Sequence, residues 1–153
     1  MSAYKLGPDK VLYMGYFGNI ETLSGGSLSY AANNPGNVQN APGYIGIIGQ
    51  YENGSYQEAI FSSYGAGLAA QMGTWQSMEG TPAGATMESA IDYYLGAAPG
   101  TALTSYGNEI LQEAGLSPDS PVPFGSPSQM EKVIEGQKLA EGWKEGSVTC
   151  GVL

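Results

Sequence analysis

Lys10-Val11-Leu12-Tyr13-Met14-Gly15-Tyr16-Phe17-Gly18-Asn19-Ile20-Glu21 is the stretch on which the fold turns. Leu12, Tyr16 and Ile20 stand at i, i+4 and i+8, an apolar stripe at helical spacing. Pro8-Asp9 supplies a start signal, and Ser24-Gly25-Gly26 supplies a stop. The spacing therefore predicts a helix over 10–21 with Glu21 at its end. Gly15 and Gly18 weaken that helix by roughly 1 kcal/mol each relative to alanine.

Outward from this stretch, residues 24–43 are rich in Asn, Ser, Gly and Pro and read as loop. Tyr44, Ile45, Ile47 and Ile48 form an apolar, β-branched run. Asn53-Gly54 separates it from a second run, Tyr56 to Phe61. An Asn-Gly pair between two such runs is a strong hairpin signal, because both central residues of the turn need positive φ. Strands are expected near 44–51 and 56–61. The remainder reads as helices. Leu68, Met72 and Trp75 share a face; Thr86 can cap a helix carrying Met87, Ile91 and Leu95; Thr101 can cap another that closes at Gly115. Ser126-Pro127 opens a last helix reaching about Gly142. The expected class is mainly α (α+β), one domain over 1–153 with one small β-hairpin.

Composition removes several functions. The 153 residues suit one core. Five Lys, no Arg and no His stand against 14 Asp plus Glu, for a net charge of -9. Nucleic-acid binding and anionic membrane surfaces both require basic clusters, so neither is expected. Without His there is no Ser-His or Cys-His hydrolase and no His-ligated zinc site. No metal or cofactor motif is present; P-loop, dinucleotide and EF-hand spacings are all missing. No apolar run reaches the ~18 residues of a membrane span. The N-terminus lacks the basic and apolar regions of a signal peptide, so export, if it occurs, is expected to need a dedicated machine or a phage particle. Cys150 is the single cysteine, and Cys150-Gly151-Val152-Leu153 fits the C-a-a-X lipidation pattern, though no polybasic stretch precedes it.

Carboxylate chemistry survives these exclusions. Glu21, at the expected end of an aromatic-bearing helix, can be half-buried near Tyr16 or Phe17. Burial disfavours the charged form, so such an acid can protonate the leaving oxygen of a glycosidic bond. Asn33-Asn34-Pro35-Gly36-Asn37 is a turn by composition. Its amides, with Gln39, can hydrogen-bond sugar hydroxyls and acetamido groups. Glu52 and Glu58 on the hairpin are candidates for a second carboxylate. Glu131, Glu135 and Glu145 read as a solvated helix face.

Ser29 to Asn37 resembles the Asn-Asn-Pro-Gly-Asn-Ile signature of phage virion-associated and secreted cell-wall-degrading proteins. Phe61-Ser62-Ser63-Tyr64-Gly65-Ala66-Gly67-Leu68-Ala69 resembles a later stretch of that family, without its Arg. A Thr-led helix, a Tyr-centred helix, Gly115-Leu116-Ser117-Pro118-Asp119, a Pro-started helix and Glu141-Gly142-Trp143 follow in the family's order, so the similarity spans about 29 to 142. Separately, Ile20-Glu21 with Ser24-Gly25-Gly26 resembles the Glu-Ser-Gly-Gly segment of lytic transglycosylases and lysozyme-like muramidases, with Thr22-Leu23 inserted. These resemblances imply a lysozyme-like domain that cleaves peptidoglycan glycan strands. Glu21 would be the catalytic acid, or Glu141, which matches the first family's recurrent acid. Ser24, Asn33, Asn34, Asn37, Gln39, Tyr44, Gln50 and Tyr64 would line the substrate. An inhibitory immunity protein is a further expected partner if a contact-dependent system delivers the chain. The alternative expectation is a non-catalytic virion or cell-wall-binding protein.

Overall fold

Alternation, not helical spacing, governs the residues around Tyr13. In the computed structural model, which describes residues 1–101 and 103–152, Val11 and Tyr13 are buried while Lys10, Leu12 and Met14 are wholly or partly exposed. A two-residue period is that of a strand, and Val, Tyr, Ile and Thr favour the pleated surface. The strands are β1 (Ser2–Gly7), β2 (Lys10–Met14), β3 (Asn19–Ser24), β4 (Ile47–Asn53), β5 (Tyr56–Phe61) and β6 (Ser147–Val152). One antiparallel sheet has the order β1-β2-β3-β6; β4 and β5 form a second, two-stranded sheet. In the first sheet Tyr13 faces Glu21, and Glu21 faces Cys150.

The helix expected over 10–21 therefore does not form. Pro8-Asp9 is the β1–β2 turn, and the two glycines belong to the connection between β2 and β3. With 37% helix, 25% strand and two antiparallel sheets, the chain is mixed α/β. This overturns the mainly helical, lysozyme-like domain with one hairpin. The reason is non-local: β3 gains hydrogen bonds on both edges from strands far apart in the chain, which a lone amphipathic helix could not match.

The helices are α1 (Leu28–Ala31), α2 (Tyr64–Gln76), α3 (Met87–Leu95), α4 (Ser105–Ala114) and α5 (Pro127–Ala140). By compactness the chain divides into two units, residues 1–71 with those from 142 onward, and residues 72–141. In the first unit Val11, Tyr13 and Leu23 pack with Ala31, Ala32, Tyr51 and Ile60. Burying an aliphatic side chain of this size contributes roughly 1.5–3 kcal/mol. A smaller cluster joins Val38, Ala59, Phe61 and Ala70, with Tyr44 against it. Gly49 lets β4 cross β1, since a Cβ there would stand 2.4 Å from the Ala3 carbonyl oxygen.

In the second unit Thr86 caps α3 in a reciprocal capping box with Ser89, and Gly96 ends that helix in the left-handed region. α4 begins after Thr104 rather than Thr101 and closes at Gly115; Ala102 lies outside the described residues. Gly136 of α5 sits against the backbone of Ile110, so the two helices approach closely. Among the described residues no helix is long and apolar enough to cross a membrane. Of the C-terminal tetrapeptide, Cys150 to Val152 lie in β6, and Leu153 lies outside the described residues.

Gly67, in the first unit, tests the packing of α2 on the Asn-rich loop. A Cβ there would stand 1.8 Å from the Asn33 carbonyl oxygen. Gly67→Ala is expected to cost about 2–3 kcal/mol, because backbone rather than a movable side chain must yield. Urea unfolding measures this, and an unchanged midpoint would contradict that close approach.

Candidate functional site

The Asn-rich loop is built from α1 outward. Ser27 caps α1, its side chain accepting the Tyr30 N–H at 3.2 Å. Asn33 and Asn37 then take positive φ (53° and 45°), which Asn tolerates better than most residues. Between them Asn34 is fully buried. Its amide nitrogen donates to the carbonyls of Val38 and Ala59, both at 2.9 Å, and its amide oxygen accepts the Val38 N–H at 2.8 Å. The side chain thus imitates a strand between the loop and β5. Its polar capacity is directed into the fold, and the side chain is closed off from solvent.

The other expected binding residues divide among local roles. Asn33 reaches the Phe61 carbonyl at 3.4 Å and also hydrogen-bonds Tyr13. Gln39 is exposed and forms an antiparallel bridge with Glu58. Glu58 is itself buried, accepting from the Tyr51 hydroxyl and from the Asn53 amide at 2.8 Å. It braces the hairpin instead of serving as an exposed second acid; Glu52 is exposed. Gln50 accepts from the Asn40 amide. Ser24 ends β3 opposite Ser147. Tyr64 and Tyr30 each meet Trp143 edge-on, with ring centres 5.4 and 5.7 Å away.

Glu21 is exposed and sits mid-strand, not at a helix end. It lines a cavity of about 670 Å³, with Tyr13, Tyr16, Phe17, Ile20 and Val152 among its neighbours there. That size suits a small molecule. Tyr13 donates its hydroxyl to the Ala31 carbonyl at 2.6 Å. Burial first, and the Glu21 carboxylate second, push the Tyr13 hydroxyl above the ordinary tyrosine range, so it stays protonated; the Asn33 hydrogen bond opposes this. Tyr13 therefore links the Glu21 strand to the Asn loop. The sequence placed Tyr16 and Phe17 near Glu21 but not Tyr13 or Val152; the alternation of Val11 with Tyr13 is the one local signal for this wall.

Glu141 belongs to the second unit. It follows α5 at the C-cap, and its carboxylate accepts the Tyr106 hydroxyl. Gln137 donates to the same hydroxyl oxygen at 3.1 Å and accepts the Trp75 indole N–H at 2.8 Å. Burial, then the neighbouring Glu141, raises the Tyr106 pKa well above the usual range. The chain Trp75–Gln137–Tyr106–Glu141 satisfies polar groups around a fully buried indole, a structural task for that acid. Among the described residues no group of three or more His, Cys, Asp or Glu side chains is placed to hold a metal ion.

Two outcomes follow from this geometry. Asn34→Ala strips the Val38 N–H and the Ala59 carbonyl of a buried partner and is expected to cost about 2–4 kcal/mol in urea unfolding; a loss below about 0.5 kcal/mol would exclude the strand-imitating role. Tyr13 and Tyr106 both have folded pKa values raised above the unfolded value of about 10. Their contribution is complete below that pH and is lost as pH rises above it, because the unfolded chain then releases the proton first. Stability is expected to fall from pH 10 upward by about 1.4 kcal/mol per pH unit for each tyrosine. Urea unfolding across pH 8.5–11 measures this fall, and removing both hydroxyls as Tyr13→Phe with Tyr106→Phe should reduce it.

The chain matches no protein-family model and no curated protein sequence.

Proposed function

We propose that the chain cleaves peptidoglycan glycan strands, with Glu21 as the general acid. The observation that carries this reading is the place of Glu21: a carboxyl group on the wall of a concave, largely apolar and aromatic cavity. Such walls suit a sugar ring, whose C–H faces are apolar and whose hydroxyls need few, well-placed polar groups. A single acid is enough for one class of this chemistry. The carboxyl protonates the leaving oxygen, and the resulting carboxylate takes the proton of an attacking hydroxyl of the same sugar, so no second carboxylate nucleophile is needed. The resemblance of Ser29 to Asn37 and of the ordered segments behind it to cell-wall-degrading proteins points to the same substrate. The reading does not rest on a lysozyme-like fold.

On this reading the protein acts in the periplasm or cell wall, carried there by a phage particle or a dedicated secretion machine. A producing cell within reach would need an immunity protein, and the mouth of this cavity is the surface for it to cover. A second reading, a non-catalytic wall-binding or virion protein, is favoured by one observation: among the described residues, Glu21 is the only acidic side chain lining the cavity.

Purified sacculi incubated with the native protein are expected to release muropeptides detectable by mass, with anhydro-muramyl ends if the attacking hydroxyl is internal. Glu21→Gln should reduce release by at least about a hundredfold, the scale of a lost general acid. Glu141→Gln should retain release while lowering stability, because Tyr106 loses its charged acceptor. Equal release by native protein and Glu21→Gln would move the acid elsewhere. Binding without any release would establish the second reading.

A further inference from the structure

The cavity beside Glu21 is bordered by a turn whose leading residue is unusual for its type. The Asn19 N–H closes onto the Tyr16 carbonyl, and both residues between them have positive φ: Phe17 at 61° and Gly18 at 78°. Primed hairpin turns of this kind take Asn, Asp or Gly at the first central position, because a bulky side chain there meets the backbone. Phe17 is also 99% exposed, so its ring gains nothing from the chain's own packing. Tyr16, beside it, is 69% exposed, and both line the cavity. A ring held at a conformational cost, in water, at the mouth of a cavity is accounted for by something outside the chain.

We propose that Phe17 is a substrate-stacking residue that receives the apolar face of an uncharged N-acetylated amino-sugar ring and guides the strand past Glu21. This rests on the reading of the cavity as a glycan site and adds the class of sugar it selects. Among the described residues lining the cavity the charged side chain is the Glu21 carboxylate, which disfavours a phosphorylated sugar polymer beside it. Asn19 and Ser62 offer uncharged polar groups suited to hydroxyls and acetamido oxygens. Phe17 and Tyr16 supply flat aromatic faces, whose negative charge density attracts the polarised C–H bonds of a pyranose.

The cost of holding Phe17 gives the test two readouts that move in opposite directions. Phe17→Asn places a residue favoured by this turn and removes the ring. It is expected to raise the melting temperature by about 2–4 °C and to weaken binding of the N-acetylglucosamine tetramer and of purified sacculi by at least about tenfold. Phe17→Trp should bind the tetramer within about threefold of the native protein. A lower melting temperature for Phe17→Asn would make the ring a structural element and overturn the proposal. So would unchanged tetramer and sacculus binding by that variant, or failure of the native protein to bind either probe. Native binding that depends on Phe17 but releases no muropeptides would uphold the stacking role and overturn cleavage alone.

Discussion

Strand β3 is hydrogen-bonded along both edges, to β2 on one side and to β6 on the other, and the first unit depends on that double pairing. It brings residues from 147 onward against residues 19–24 and so returns the C-terminal segment to the N-terminal half of the chain. It fixes Glu21 between Tyr13 and Cys150, with the side-chain direction set by the pleat. It also determines that the β2–β3 connection is a tight turn, the reason Phe17 stands where it does. At the exit from β3, Gly26 and Gly146 let two backbone segments pass: a Cβ on either would come within about 2.2 Å of a carbonyl oxygen on the other segment.

The second brace is chemical rather than topological. Asn34 carries donor and acceptor on one short, flat group, so one buried side chain can satisfy a carbonyl on β5 and both backbone groups of Val38. Aspartate has the shape without the donor, and glutamine has the groups with an extra methylene. An Asn-rich motif can therefore persist for reasons of folding while its neighbour Asn33 reaches toward Tyr13.

Local signals in the sequence were legible where they act locally. Gly54 turns the β4–β5 hairpin at positive φ, one residue later than an Asn53-Gly54 turn, since Asn53 still pairs with Tyr56; Thr86 caps α3, Gly115 closes α4 and Ser126-Pro127 opens α5. Leu12, Tyr16 and Ile20 misled because three apolar residues at helical spacing also fit two strands and a turn, and the choice is made by partners far along the chain. Ser2–Gly7 and Ser147–Val152 carry weak strand signals, and their pairing with β2 and β3 is a property of the whole fold. At the site, Glu21 could be picked out as a residue but its setting could not. The helix-end environment became a sheet face, and the cavity wall came from residues that no motif joins. The amides of Asn33 to Asn37 looked interchangeable in sequence; burial separates Asn34 from the rest.

The return of β6 to β3 also ties Cys150 to the cavity wall. Cys150 is exposed at its side chain yet committed at its backbone, since it pairs with Glu21. For Cys150 to leave this pairing, β6 would have to peel from β3 and carry Gly151 and Val152 out of the cavity wall. The pairing of one strand and the shape of the cavity beside Glu21 are therefore a single property: whatever loosens β6 also opens the wall.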